Sequence, residues 1–258
     1  MKTNHKSLFV LFGILIMATA LAALPLRTQK NSAEVGLQKN DDGQVPVIDF
    51  VNADAPTKQK ARKRGLSVDN KPVAELPAAA QPLPLSGHLW WGMPALPVVQ
   101  SNAVVLGEIT GRRAVLTDDK LGIYSEFSIK LVKVFKDDQG MLNVGGSVEA
   151  SRLGGAVRFP SGKIQRYTVS RQGYPELGNQ YVLFLQRDEA GDFSIITGYN
   201  VSSPGVTPLD GDALQPKGDL QFGIYRGVAR DAFLNDLKDA VLPASGRGAH
   251  VNRTVVAF

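Results

Sequence analysis

Between residues 86 and 258, apolar positions recur in short alternating runs separated by turn residues, the pattern of a chain folded mainly into β-strands. Residues 102–110 form the first run, and residues 112–117 follow across a turn expected at Gly111. The longest run is 123–135. In it Phe127, Ile129 and Leu131 alternate with Glu126, Ser128 and Lys130. Beyond Leu131 the apolar phase shifts to Val132 and Val134, which predicts a bulge or sharp bend. Asp137, Asp138 and Gly140 then supply turn chemistry. Further strands are predicted over 144–151, 156–159, 164–169 and 193–197. Residues 180–186 are apolar on both faces, so they are expected to be central and buried. One helix stands out over 229–242, with Phe233, Leu234, Leu237 and Val241 at helical spacing and Pro243 as its stop. The expectation is a mainly-β domain, a small barrel flanked by one C-terminal helix.

The N-terminus has another pattern. Residues 1–7 are polar and carry Lys2 and Lys6, whereas 8–24 are uncharged and apolar. Basic, then apolar, then small residues is the order of a secretory signal, and Ala20-Leu21-Ala22 offers a cleavage site before Ala23. The apolar stretch is 17 residues long. That is the lower end of the roughly 17–25 residues that span a bilayer, so a retained anchor is the alternative, with a buried core helix as a third. Lys2 and Lys6 favour an N-terminus left inside, while Arg27 and Lys30 weaken that bias without reversing it. The rest of the chain is expected outside the cytoplasm. It would be periplasmic or secreted, or held at the inner membrane through residues 8–24 if these are uncleaved.

Residues 25–85 hold seven of the 15 prolines and a single aromatic, Phe50. Such a segment buries too little apolar area to offset its ordering entropy and reads as a disordered linker. Its 76–85 stretch is Pro/Ala-rich and reads as an extended spacer. The apolar run 45–51 is a docking strand, a partner-binding patch, or a locally sticky piece of linker. The basic run Lys58, Lys60, Arg62, Lys63 and Arg64 suits anionic headgroups or an anionic polymer, or simply keeps a linker solvated. Domains at 1–24, 25–85 and 86–258 divide the net charge of +5 as +2, +2 and +1. Despite a pI near 9.4, no part carries the concentrated basic face that nucleic-acid binding needs, so no nucleic-acid partner is expected.

The absence of cysteine excludes a disulfide scaffold, a thiol nucleophile, a thiolate zinc site and a lipid-modified N-terminal cysteine. His5, His88 and His250 are too dispersed to suggest a triad or a metal cluster. Asp210-Gly211-Asp212 opens like a calcium loop, but Leu214 and Gln221 stand where further oxygens are required. No cofactor is expected. Among Asp118, Asp119, Glu126 and Glu149 an acid pair is conceivable, although 117–122 reads more simply as a polar turn. The most suggestive loop is 152–163. Gly154 and Gly155 allow close backbone approach to a ligand, and Arg152, Arg158 and Lys163 can hold an anionic group. The alternative is a glycine bulge followed by a hairpin turn at Pro160-Ser161-Gly162-Lys163. Trp90 and Trp91 at the domain entrance can stack on a sugar or peptide, or pack on the core.

The order of phrases is itself informative. A strand over 103–109 comes first, then 123–127 leading into Val134-Phe135-Lys136, a strand led by Gly145-Gly146, and finally 178–185. It resembles an uncharacterised group of secreted bacterial proteins with one small β-barrel. More distantly it is similar to the netrin-like domain of tissue metalloproteinase inhibitors, an oligonucleotide/oligosaccharide-binding (OB-like) barrel. The resemblance covers roughly residues 100–200 and implies the barrel alone. The inhibitors act through an N-terminal cysteine on the protease zinc, and this chain has no cysteine. The expected function is an exported, envelope-associated, non-catalytic binding or interaction module, its partner an unknown protein or anionic ligand. The alternatives are a secreted hydrolase working through carboxylates and a purely structural envelope protein.

Overall fold

The computed structural model describes residues 45–51, 73–77, 93–117, 119–211 and 221–242. Period-two alternation builds the centre of the fold. Strand β2 (Ala103–Leu116) sends Val105 and Ile109 to one side and Val104, Leu106 and Leu116 to the other. It pairs antiparallel with β3 (Ile123–Asp137) and with β7 (Gln180–Arg187). β7 is likewise split, with Val182 and Phe184 in one core and Leu183 and Leu185 in the other. This explains why its sequence is apolar on both faces, and it is central as expected.

The expected turn at Gly111 is instead a register shift inside one continuous strand. The bend foreseen in β3 is present. Pairing slips where Leu106 meets Lys133 and Gly107 meets Leu131, so Val132 is the extra residue and its side chain is exposed. β4 (Ser147–Leu153) lies beside β3, and β8 (Phe193–Asn200) lies between β7 and the short β9 (Thr207–Pro208). β4 also meets β8 in parallel, but only at Ala150 with Phe193 and Ser151 with Ser194. The five strands β4-β3-β2-β7-β8 therefore curl into a ring joined along one short seam. The barrel expected from sequence is corrected to this partly open form.

One core fills the ring, with contributions from all five strands, among them Ile109, Phe127, Ala150, Leu183 and Ile195. The second core lies between the outer face of β2 and β7 and a smaller sheet, order β1-β5-β6. These strands are β1 (Val47–Asp49), β5 (Gly155–Arg158) and β6 (Ile164–Tyr167). Helix α1 (Arg230–Val241) buries Phe233 and Leu237 in this second core. There Tyr199 meets Phe184, Phe222, Tyr225 and Phe233 at ring separations of 4.8–6.5 Å.

Two pieces assigned by composition to the linker belong to this structure. β1 pairs in parallel with β5, placing Val47 opposite Ala156, so residues 45–51 are a docking strand for their own domain. Phe50 stacks at 5.1 Å on Phe159, and Lys120 sits 4.0 Å above the Phe50 ring. Val73 is buried, and its N–H donates to Lys120 O. Alongside β6, Tyr167 Oη donates to Ala74 O and Lys163 Nζ donates to Leu76 O and Pro77 O. Proline richness misled here because side chains, rather than a backbone ladder, hold 73–77. The hydrophobic stretch 8–24 and the basic run 58–64 lie outside the described residues.

Candidate functional site

The loop 152–163 does not bring its three cations together. Gly154 has φ +86° and marks the point where the chain leaves β4 in the large sheet and enters β5 in the small one. A Cβ there would stand 2.3 Å from Tyr174 Oη and 2.5 Å from Tyr167 O. At Gly155 a Cβ would press on the Ile123 side chain at 2.9 Å. The glycine pair therefore serves a corner packed against protein, not an approach to ligand. Arg152 is buried, with its guanidinium bonded to the Asp210 carboxylate and donating to Gly173 O and Ile196 O. Arg158 pairs with Asp49 of β1 at 3.2 Å. Lys163 is committed to the carbonyls of Leu76 and Pro77. The three cations expected to converge on an anion are thus each bound to a different part of the chain. The alternative holds instead: a glycine corner, then a hairpin turn closed by Gly162 N–H to Phe159 O at 2.8 Å. Trp90 and Trp91 lie outside the described residues.

The Arg152–Asp210 pair has a different consequence. Period two along β4 places Arg152 on the face of Val148 and Ala150, toward the interior. Burial pushes the Asp210 carboxyl upward, while Arg152 and the Gly173 N–H pull against that. Because Gly173 donates through its N–H to Asp210 and accepts at its carbonyl from Arg152, the pair clamps the two consecutive peptide groups that flank one residue. Gly173 itself lies so close to Leu209 O that a Cβ would meet it at 2.0 Å. Nearby, Gln172 Nε2 and Tyr174 Oη both donate to Leu153 O, at 2.6 and 2.8 Å. Burial pushes the Tyr174 hydroxyl up to about 12, against the pull of Arg152.

These contacts fix one wall of a cleft of about 540 Å³ between the 168–176 loop, the start of β7 and the 207–209 edge. Tyr174, Tyr181 and Leu209 contribute apolar surface to its lining. At its rim Arg171 is exposed with φ +64°, and its carbonyl is held by Gly211 N–H at 2.9 Å. Glu176 also lines the cleft and is exposed; its Oε2 accepts from Asn179 at 2.9 Å. No sequence signal marks this site, because Arg171 is distinguished by its backbone conformation rather than by its neighbours.

A second cavity, about 300 Å³, is lined by Tyr124, Glu126, Glu149, Asp192 and Phe193. Register sets Glu126 opposite Ser151 and Ser128 opposite Glu149, which puts the two glutamates diagonally on one face. Arg113 grips Glu126 Oε2 through Nε at 2.8 Å and a terminal nitrogen at 2.6 Å. Two of the four carboxylates considered for acid/base chemistry are thus brought together. Asp119 is elsewhere, a turn residue held below its ordinary value by the Thr117 hydroxyl and the Leu121 N–H. Asp118 lies outside the described residues. Among the described residues, no group of three or more His, Asp or Glu is placed to hold a metal ion. Comparison with protein-family models finds no match, and comparison with curated proteins finds none either.

Proposed function

We propose that the chain is a non-catalytic binding module, exported to the cell envelope through its N-terminal segment, with its ligand seated in the 540 Å³ cleft beside Arg171. One observation carries the proposal. An exposed arginine is kept in a left-handed conformation at the rim of a cleft whose wall is fixed before any ligand arrives. A non-glycine residue in that region costs about 1–2 kcal/mol, and such positions cluster at ligand-binding sites. The cleft volume falls in the range of small-molecule sites, roughly 300–1,000 Å³. The resemblance to OB-like barrels belongs to the same proposal. A five-stranded, partly open ring is the form those barrels take.

The test is a thermal-shift screen of the full chain against small peptides, sugars and organic acids. A ligand at 100 times its Kd stabilises by about 2.7 kcal/mol, which raises Tm by roughly 5–10 °C in a domain of this size. The shift should disappear in Arg171→Ala and persist in Glu149→Gln. Loss in Glu149→Gln alone would move the ligand to the smaller cavity. A hydrolase is the second reading, favoured by Glu126 and Glu149 lining one cavity. It requires turnover of a chromogenic ester or glycoside that Glu149→Gln abolishes.

A further inference from the structure

Resting on the cleft as the binding site, we infer that its ligand is a short peptide with both termini free, its α-carboxylate taken by Arg171 and its α-ammonium by Glu176. Among the described residues, the charged groups lining the cleft are one of each sign, these two. Among the described residues the Arg171 guanidinium has no ion-pair partner, and Glu176 uses only Oε2, toward Asn179. Both are exposed at the opening, so neither has lost its water to a structural role.

Charge matching selects the ligand class. A phosphate dianion would gain from Arg171 but meet Glu176 in the same cleft, and a simple cation would meet Arg171. A zwitterion with separated charges satisfies both. Arginine suits a carboxylate because its planar fork matches the two oxygens. The same cleft is lined by Tyr174 and Leu209, which offer surface for a small apolar side chain, and by Thr207, whose hydroxyl can meet a peptide amide. The volume of about 540 Å³ leaves room for more than one residue.

The test uses isothermal titration of the full chain with trialanine, N-acetyl-trialanine, trialanine amide and inorganic phosphate. Trialanine should bind, and blocking either terminus should weaken binding about tenfold, the scale of one charged hydrogen bond. Arg171→Ala should erase the difference between trialanine and its amide. Glu176→Gln should erase the difference between trialanine and its acetylated form. Both variants should keep the wild-type urea midpoint, since both side chains are exposed. Equal binding of the blocked peptides, competition by phosphate, or no binding of trialanine at millimolar concentration overturns the inference. If the thermal-shift screen still yields an Arg171-dependent ligand of another class, the binding module stands and only the peptide assignment falls. If no ligand class depends on Arg171, both fall.

Discussion

Asp210→Asn isolates the buried charge pair beneath the cleft. The Arg152 and Asp210 side chains are 2% and 0% exposed, so no water competes for either. The substitution keeps the shape and an acceptor for the Gly173 N–H, but leaves the Arg152 guanidinium in the interior with only the carbonyls of Gly173 and Ile196. Removing one partner of a buried pair costs about 3–5 kcal/mol, because the remaining charge is uncompensated. That is about a fifth or more of the ~5–15 kcal/mol by which a domain is normally stable. With a urea m-value of about 2–3 kcal/mol/M, the midpoint should fall by roughly 1–2.5 M. Circular dichroism during urea titration reads it directly. The double variant Arg152→Met/Asp210→Leu should recover most of the loss, since an apolar pair of similar size needs no desolvation of charge. A fall below about 0.3 M for Asp210→Asn, under ~1 kcal/mol, would show that the pair is wet and would refute the clamp.

Gly154→Ala should destabilise by well over 1 kcal/mol, since it combines a left-handed φ with a Cβ 2.3 Å from Tyr174 Oη; the urea midpoint tests it. A chain beginning at residue 86 lacks β1 and Val73, and should lose at least the ~1.5–3 kcal/mol of burying one valine relative to a chain beginning at 42. Equal melting temperatures for the two would return 25–85 to the status of linker. Lys163→Met removes both carbonyl contacts to 76–77, so hydrogen exchange and limited proteolysis near Leu76 should accelerate with little change at β7. Burial raises the Asp137 carboxyl, but the N–H groups of Leu142, Gln139, Met141 and Gly140 outweigh it and hold the group below its ordinary value. Its stabilisation is therefore present above the unfolded-state value of 3.8 and lost as pH falls through the folded one. Asp137→Asn should flatten that acid limb of stability against pH, and an unchanged slope would exclude this carboxylate as its source.

Much of the ring was legible because its strands report their surroundings residue by residue. β7 declared itself through apolar side chains at Tyr181, Val182, Leu183, Phe184 and Leu185, which no half-exposed strand would carry. The break of phase at Leu131 and Val132 announced the bulge in β3. β1 was not legible as part of the domain. It is three residues long, follows Pro46, and gains its partner only through the fold. Arg152 suggests a ligand-facing cation only if its charge is weighed above its position in the strand. The period from Val148 through Ala150 already pointed it inward, and only Asp210, 58 residues away, explains how a charge is tolerated there. Arg171 carried no pattern at all, since a left-handed turn on an arginine is dictated by the contacts at Gly211 and Gly173 rather than by its own preference.

The parallel pairing of β1 with β5 joins residues 109 positions apart. A chain made or threaded N-terminus first presents Val47 and Ile48 long before Ala156 and Val157 exist to receive them. At about 5–20 residues per second that delay is roughly 5–20 s. For that interval a short apolar strand stands with its hydrogen-bonding edge bare, and the small sheet can close only after most of the ring has emerged. β1 cannot be seated until β2, β3 and β4 have all been made, so its sequence must stay unattached while 109 further residues appear and still find one register when β5 arrives.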